Sequence, residues 1–412
     1  MGASSARRTH DVVWTTTTYL GEGLPWSVLH QMATEYLTAR KVSRAQVGYT
    51  SALHLSVTLK FLWSPIVDLF STKRRWLIAM QMTLGALLLG IAVVAEAGSI
   101  STLWPLLAVF SVLHATHDVA CDGFYLLALD PPRQALYSGV RVAAFRAAMV
   151  LGGGGLVYLA GKTSWLNAFG LAGVTMALLA GANALGMPRL VEPRHELADS
   201  RAGEPSRGSR FLEAYRSFFT QPQALTVLAF IFFFRIGDIL MFAMSKPLLR
   251  DLGVDTAARG VLTGLGTALT IVGSLLGGAL IARQGLQRWL VPLAFLQNGA
   301  IPLYIMLALR WFGRAGITAV VLVEQFASGL GNAAHTVFLM QRCRAAFSAS
   351  HYAFATAVVA AASTLAGVAS GHLNTWLGSP LYFTFSFVCS WPSLVLVFFV
   401  PRGRAEEPAP RT

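Results

Sequence analysis

Charged residues are scarce in this chain. Only 12% of its 412 residues are Asp, Glu, Lys or Arg, whereas 55% are hydrophobic and the mean hydropathy is +0.57. Soluble domains carry about twice that share of charge, and a soluble chain of this length would divide into several of them. The composition therefore excludes an ordinary water-soluble protein.

Cysteine is scarcer still. The three cysteines, Cys121, Cys343 and Cys389, lie far apart, so no disulfide framework and no Cys-x-x-Cys site is expected.

The polar run from Thr15 to Thr18 interrupts the first apolar stretch, and we therefore expect no cleavable signal peptide. Nothing in the sequence calls for a metal or another cofactor.

Long apolar runs are abundant. The windows 77–95, 163–188, 289–309 and 379–401 contain no Asp, Glu, Lys or Arg. About 20 apolar residues in a helix cross the hydrocarbon of a bilayer, and lipid leaves the backbone no partner outside the helix. The sequence predicts an all-α, polytopic membrane protein with twelve spans, at 12–38, 46–70, 76–97, 101–129, 136–160, 164–187, 223–249, 257–283, 287–312, 316–341, 351–376 and 380–400.

A long hydrophilic segment divides these spans into two groups of six. Pro188 to Ser217 is rich in Arg, Glu, Gly and Pro and falls midway along the chain. A weak repeat at an offset of 212 aligns Val42, Ala45 and Gly48 with Val254, Ala257 and Gly260. We therefore predict six-helix bundles at 1–187 and 223–412, joined by a linker at 188–222.

The distribution of the basic residues that give the net charge of +13 indicates membrane topology. With the N-terminus inside, the cytoplasmic segments hold 19 Lys and Arg and the opposite segments hold 8, with Arg259 counted among the latter. This bias places both termini in the cytoplasm. It argues against a nucleic-acid surface.

Ionisable residues also occur inside the spans. The bases are Lys60, Arg141, Arg146, Arg235 and Lys246, and acids near midspan are Glu22, Asp118, Asp122, Asp238 and Glu324. Placing one charge at the centre of a membrane-spanning helix raises the free energy of insertion by about 2.5–3.5 kcal/mol. We therefore expect such residues to face a cavity or each other, and we treat them as functional candidates.

The fourth span carries the densest group. Asp118 and Asp122 are four residues apart and share a helix face, with His114 one turn earlier. Without a nearby cation, a buried carboxyl group can take up and release a proton. Pairing of either aspartate with Arg146, as a purely structural contact, is an equal alternative. His114 and His117 are interpreted as packing residues.

The second half carries a sparser group. Arg235 and Asp238 are three residues apart and can pair on one helix face, so Arg235 either binds cargo or neutralises Asp238. Glu324 has no cation nearby in its own helix and is the first candidate for proton coupling. Glu22 lies between Gly21 and Gly23, close to Pro25, where we expect a break in the first span.

Several segments resemble one family. "LGEGLPWSVLHQMATEYLTARKVSRAQVGYTSALHLSVTLKFLWSPIVD", "HATHDVACDGFYLLAL", "FRIGDIL" and "VEQFASGLGNAAHTVFLMQRCRAAFSASHYAFATA" are similar to the AmpG muropeptide permease branch of the major facilitator superfamily and to its acetyl-coenzyme A transporter relatives. The resemblance implies a twelve-helix fold in a bacterial inner membrane. It also implies proton-driven import of an anhydro-muropeptide by a monomer.

The candidate residues are given roles from their chemistry, while the resemblance implies only that Lys60, Asp118, Asp122, Arg146, Arg235, Asp238 and Glu324 lie in the polar spans of the family. The candidates for proton coupling are Glu324, Asp118, Asp122 and Asp238. The candidates for binding a large anionic cargo are Arg146, Arg235, Lys60, Glu22, Gln325, Tyr125 and Trp26. Asp68, with Arg74 and Arg75, resembles the acidic-then-basic gating loop of the superfamily. Its usual glycines are missing, and positive-inside charge explains the basic residues equally well.

Other functions remain open. Cys121-Asp122-Gly123 is closer to the acetyl-coenzyme A branch, and related importers carry siderophores, so either an acyl-coenzyme A or a siderophore is an alternative cargo. In a different class, Asp118 and Asp122 have the spacing with which membrane prenyltransferases hold magnesium diphosphate. Those enzymes carry a second acidic cluster, which this sequence does not show, so we expect no enzyme.

Overall fold

The computed structural model describes residues 2–129, 131–190, 216–343 and 348–401, and within these ranges every regular element is a helix. The first half of the chain forms α1 Gly2–Ser27, α2 Ala33–Ala39, α3 Arg44–Tyr49, α4 Leu55–Leu59, α5 Ser64–Leu69, α6 Lys73–Ala97, α7 Ile100–Ala128, α8 Pro131–Val150, α9 Val157–Lys162 and α10 Trp165–Gly186. The second half forms α11 Ala224–Phe234, α12 Ile236–Asp251, α13 Thr256–Gln284, α14 Leu286–Gly299, α15 Ile301–Ala308, α16 Arg314–Gln341 and α17 Ser348–Leu396. The predicted all-α class is confirmed.

Nine helical stretches of the described chain are long and apolar enough to cross a membrane. The longest, Phe354–Leu396, contains both the eleventh and the twelfth predicted span, and its backbone breaks at Gly378, whose φ is 72°. The first two predicted spans are built from shorter pieces. A π-helical turn, Val28–Met32, separates α1 from α2, and 3-10 turns flank α4. These observations are consistent with twelve spans.

The break in the first span lies one turn later than the glycines predicted. Helix α1 continues through Gly21, Gly23 and Pro25 to Ser27. A Cβ on Gly23 would lie 2.6 Å from the backbone oxygen of Phe145, so this glycine lets α8 approach closely. The π-helical turn begins at Val28, three residues after Pro25, whose nitrogen cannot donate a backbone hydrogen bond.

The chain packs as two compact units. Unit 1 comprises Met1–Val42, Ala52–Leu197 and Leu249–Thr267, and unit 2 comprises Ser43–Ser51, Ala198–Leu248 and Ala268–Thr412. Each unit therefore includes a short segment from the other half of the sequence. The division into six-helix halves at 1–187 and 223–412 stays a prediction, and residues 191–215 of the linker lie outside the described chain.

Aromatic clusters form part of the core of each unit. In unit 1, Trp14 packs edge-on against Phe124, with ring centroids 5.3 Å apart, and Tyr19 against Tyr125 at 5.8 Å. In unit 2, Phe230 packs against Phe338 at 4.9 Å, and the imidazole of His335 stacks on Phe234 at 4.4 Å. These clusters fix α1 against α7, and α11 against α16, which positions the charged residues described next.

Candidate functional site

Unit 1 holds a cluster of charged residues, which we call the unit 1 cluster: Glu22, Lys60, Asp118, Asp122 and Arg141. Lys60 Nζ pairs with Asp118 Oδ2, and Arg141 Nη2 lies 2.7 Å from Asp122 Oδ1. The side chains come from α1, the 3-10 turn before α5, α7 and α8. Three other elements therefore converge on the polar face of α7 that the sequence predicted.

Neutral groups complete the unit 1 cluster. The Tyr19 hydroxyl donates to Asp122 Oδ1 at 3.1 Å. The Arg141 guanidinium lies over the rings of Tyr19 and Tyr125, 4.6 and 5.6 Å from their centroids. Such cation–π contacts hold the guanidinium in place while leaving its N–H groups free to form hydrogen bonds.

Part of the unit 1 cluster is accessible. The side chains of Lys60, Arg141 and Asp122 are 32%, 35% and 37% exposed, whereas Glu22 is buried. Charged atoms do not face hydrocarbon without a large free-energy cost. We therefore expect their accessible surfaces to face a polar environment rather than lipid.

Unit 2 holds a second cluster, the unit 2 cluster: Arg235, Asp238, Glu324 and their neutral partners. Arg235 Nη2 lies 3.1 Å from Asp238 Oδ2, as the three-residue spacing predicted. Arg235 occupies the junction between α11 and α12, and Ser328 donates to Asp238 at 3.4 Å.

Glu324 is nearly inaccessible, at 2% exposure. Its Oε2 accepts from Gln325 Nε2 at 2.9 Å, and it shares a hydrogen bond with the Tyr304 hydroxyl. Gln325 is itself held by Thr270, whose hydroxyl donates to Gln325 Oε1 at 3.0 Å. The direct hydrogen-bond partners of this acid are thus neutral.

Other predicted residues lie elsewhere in unit 1. The partners of Asp118 and Asp122 are Lys60 and Arg141, while Arg146 Nη1 contacts Met149 Sδ at 3.8 Å. Trp26 is half-buried, with its ring centroid 4.6 Å from that of His30. Tyr125 is buried in the aromatic cluster, so its ring packs against protein. The cargo-binding roles of Arg146, Trp26 and Tyr125 stay predictions.

The histidines of α7 and the predicted gating residues have structural contacts. His114 and His117 are buried, and His117 Nε2 lies 3.4 Å from Cys121 Sγ, which is consistent with packing. Arg74 Nη2 donates to the Ala184 carbonyl, and the backbone N–H of Arg75 donates to Thr72 Oγ1. The Asp68 side chain lies outside the described residues, so the gating role stays a prediction.

Sequence reasoning missed several contacts. Arg141 was recognised only as a base within a span, and Tyr19 and Tyr304 were not singled out. Arg259, counted with an outer loop, instead lies in the first turn of α13 and pairs with Glu35 at 2.8 Å; the two side chains are 2% and 0% exposed. The two residues are 224 positions apart, so no local pattern could have indicated this pair.

Comparison with known proteins decides the family. The family model described as Major Facilitator Superfamily matches residues 13–370, which is most of the chain. The chain belongs to the major facilitator superfamily. It is therefore a multi-pass membrane transporter of a small-molecule substrate.

Within this superfamily, the predicted similarity to the AmpG branch is confirmed. The chain is 26% identical over 382 residues to the anhydromuropeptide permease of Escherichia coli K12, covering 91% of this chain and 76% of that one. It is 23% identical over 390 residues to the putative transporter AmpG 4 of Rickettsia felis, covering 92% and 93% of the two chains.

Solved superfamily structures share the fold. A bacterial homologue of the human lysosomal transporter Spinster superposes with a TM-score of 0.73 at 13% identity, covering 95% of this chain and 96% of its own. The nucleoside transporter NupG superposes with a TM-score of 0.66 at 15% identity, covering 95% and 98%. At these identities the similarity concerns the fold alone.

Proposed function

We propose that this transporter imports a large, polar, anionic cargo, an anhydro-muropeptide, and couples its uptake to protons. The observation that carries the proposal is the pair of charge clusters, since each places carboxyl groups and cations within membrane-spanning helices. Ionisable residues at this depth are costly and mark the paths of substrates and protons. In the proposed arrangement the transporter is a monomer in the bacterial inner membrane, with both termini in the cytoplasm.

The chemistry of the clusters supports an anionic cargo. Arg141, Lys60 and Arg235 combine a protein partner with an accessible surface, because their side chains are 35%, 32% and 23% exposed. An arginine can bind a carboxylate through two parallel hydrogen bonds. A muropeptide carries carboxylates on its peptide, and it also carries sugar rings. Trp26 offers an aromatic face on which such a sugar ring can stack.

Glu324 supports proton coupling from unit 2. It is buried, and its hydrogen-bond partners are the neutral groups of Gln325 and Tyr304. A carboxyl group in such a place loses hydration without gaining an ion pair, so its charged and neutral forms are both accessible during a transport cycle. Asp238 differs because Arg235 already neutralises it.

A competition experiment tests the cargo. Purified protein in liposomes with an imposed pH gradient is offered a labelled anhydro-muropeptide, and unlabelled muropeptide, acetyl-coenzyme A or a siderophore competes for uptake. We expect only the muropeptide to compete and a protonophore to abolish accumulation. Competition by acetyl-coenzyme A or the siderophore alone would reassign the cargo, and accumulation that ignores the pH gradient would refute proton coupling.

The enzymatic alternative is weakened by the ion pairs. Magnesium diphosphate binding needs both carboxylates of the Asp118 and Asp122 pair, and Lys60 and Arg141 already occupy them. Recovery of chemically unchanged cargo from the liposomes would support transport. Recovery of a metal-dependent, altered product would favour an enzyme.

A further inference from the structure

A short chain of hydrogen bonds connects Glu324 to the neighbouring helix α13. Gln325 Nε2 donates to Glu324 Oε2 at 2.9 Å, and the Thr270 hydroxyl donates to Gln325 Oε1 at 3.0 Å. Both distances are those of ordinary hydrogen bonds. Glu324 is buried, whereas Gln325 and Thr270 are partly exposed. The chain therefore leads from a buried carboxyl group on α16 to partly accessible side chains.

The Thr270 hydroxyl has two acceptors at the same distance. Besides Gln325 Oε1, it lies 3.0 Å from the backbone oxygen of Gln325. A hydroxyl group has one hydrogen and two lone pairs, so it can donate to one of these oxygens while its own oxygen accepts a hydrogen bond. Thr270 can therefore take part in two different hydrogen-bond arrangements with the same residue.

The two arrangements suit different protonation states of Glu324. An ionised carboxylate only accepts hydrogen bonds, and the structure shows it accepting one from the Gln325 amide. A proton on Oε2 makes this oxygen a donor, which needs an acceptor where the amide N–H group now lies. Turning the Gln325 amide by about 180° brings Oε1 to the carboxyl group and Nε2 to Thr270. The Thr270 hydroxyl then accepts from Nε2 and donates to the backbone oxygen of Gln325.

The other charged or titratable groups beside Glu324 in the described chain are Arg235, Asp238 and Tyr304. Arg235 and Asp238 form their own ion pair at 3.1 Å, and Tyr304 belongs to α15. Gln325 differs from these neighbours because its hydrogen bonds continue to Thr270 on α13. A change of proton on Glu324 can therefore reach α13 through Gln325.

Helices α13 and α16 are in close contact at this level. A Cβ on Gly329 would overlap the backbone oxygen of Thr270. On the other side of the contact, a Cβ on Gly273 would overlap the backbone oxygen of Phe326. Small residues allow two helix backbones to approach in this way. A reversal of the hydrogen bond between Thr270 and Gln325 therefore acts directly on the contact between these helices.

We propose that Gln325 is a positioning residue that transmits the protonation state of Glu324 to α13. With Glu324 ionised, the amide N–H group donates to the carboxylate, and Thr270 donates to the amide oxygen. When Glu324 Oε2 takes a proton from water, the amide turns, accepts from the carboxyl O–H group and donates to Thr270. Return of the proton to water restores the first arrangement. The inference rests on the proposed proton coupling by Glu324, and it replaces the cargo-binding role that the sequence gave to Gln325.

Infrared difference spectroscopy tests the turn of the amide directly. Spectra of the wild-type protein in acid and in alkaline solution are subtracted, which shows the carboxyl groups that titrate and any side-chain amide that changes with them. We expect an amide change that is absent from Glu324→Gln and from Gln325→Met. The matched control is Glu96→Gln, the same change at an exposed acid, which should keep it.

The infrared outcomes separate this inference from the proposed function. If Glu324→Gln removes a titrating carboxyl band but the wild-type protein shows no amide change, Glu324 changes its proton without Gln325, and the inference is overturned. If Glu324→Gln removes no carboxyl band, the proposed proton site itself is refuted.

Transport distinguishes positioning from cargo binding. Gln325→Met keeps the length of the side chain but removes both hydrogen-bonding groups of the amide. We expect uptake of labelled anhydro-muropeptide driven by a pH gradient to fall by about tenfold or more, because two hydrogen bonds are lost. Counterflow exchange at equal pH should fall far less. Equal losses of uptake and exchange would overturn the inference, because they would indicate cargo binding, and so would driven uptake like that of the wild type.

The contact with α13 has its own test. Thr270→Val keeps a branched side chain but removes the hydroxyl, whereas Thr270→Ser keeps the hydroxyl. We expect driven uptake to fall about 2- to 10-fold in Thr270→Val, as for one hydrogen bond, and to recover in Thr270→Ser. The control is Thr267→Val, which removes a hydroxyl that donates to the Thr263 carbonyl within α13 at 2.8 Å. Driven uptake in Thr270→Val equal to that of Thr267→Val would refute transmission to α13.

Discussion

In the unit 1 cluster the two ion pairs join different elements, whereas in the unit 2 cluster the ion pair lies within four consecutive residues. Lys60 and Asp118 are 58 positions apart, and Arg141 reaches Asp122 from the next helix, while Arg235 and Asp238 bridge a single turn. Pairs between elements form or break when those elements move, and a pair within one turn moves as one piece. We therefore expect the ion pairs of the unit 1 cluster to change when those elements move, and the Arg235–Asp238 pair, at the junction of α11 and α12, to change less.

The acids left over in the two clusters also differ. Glu22 is buried and its Oε2 has no hydrogen-bond partner, whereas Glu324 accepts a hydrogen bond from the Gln325 amide. Each cluster holds one more carboxyl group than cations among the residues described.

The largest effect on stability is expected at a pair outside both clusters. Arg259 and Glu35 are fully buried, and Arg259→Leu would leave the Glu35 carboxylate without its cation. Breaking a buried pair from one side costs about 3–5 kcal/mol. Thermal unfolding in detergent should show this loss, and Arg259→Leu with Glu35→Gln should restore most of it. If Arg259→Leu alone leaves the unfolding temperature unchanged, this pair does not stabilise unit 1.

The largest effect on transport is expected at Glu324. Glu324→Gln removes the proposed proton site of unit 2 while preserving the shape of the side chain beside Gln325. We expect pH-driven uptake in liposomes to fall by about 10²-fold or more. Glu96→Gln serves as the control. Accumulation equal to that of the wild type would refute the proposed role of Glu324 in coupling.

The two ion pairs are expected to differ in coupling energy. A double-mutant cycle on Lys60→Met and Asp118→Asn should give about 0.5–3 kcal/mol, as for side chains in direct contact within one network. The same cycle on Arg235→Met and Asp238→Asn should give about 0.2–0.5 kcal/mol, the range of pairs within one helix. Unfolding temperatures of the single and double variants measure both. Equal couplings would remove the proposed contrast between the units.

The smallest effect is expected at Asp255. This residue lies outside the spans, and its contribution to stability depends on pH. Asp255 Oδ1 accepts from the Ala258 backbone N–H at 2.9 Å, and this bond lowers the pKa of the carboxyl group from its usual value of 3.8. A lowered pKa contributes stability above that usual value and loses it as the pH falls through the folded-state pKa. Asp255→Ala should therefore cost about 1 kcal/mol at neutral pH and nothing in strong acid. A difference in unfolding temperature that does not change with pH would refute the cap.

Local sequence determined the helices and the residues that share a face. Apolar runs of about 20 residues predict spans because lipid offers the backbone no partner outside the helix. The spacing of Asp118 and Asp122 and of Arg235 and Asp238 follows from helix geometry, and the structure shows the second of these as an ion pair. The rarity of charge also identified Glu22 and Glu324, since few other acids occur within spans.

Only the tertiary structure decided which residues pair across helices. Lys60 with Asp118, Arg141 with Asp122, Tyr304 with Glu324 and Arg259 with Glu35 all depend on which helices pack together and at what depth. Spacing along the chain has no bearing on such contacts, because packing of distant elements sets them. The sequence thus determined which residues are charged inside the membrane, and the fold determined which of those charges are paired and which carboxyl groups form no ion pair among the residues described.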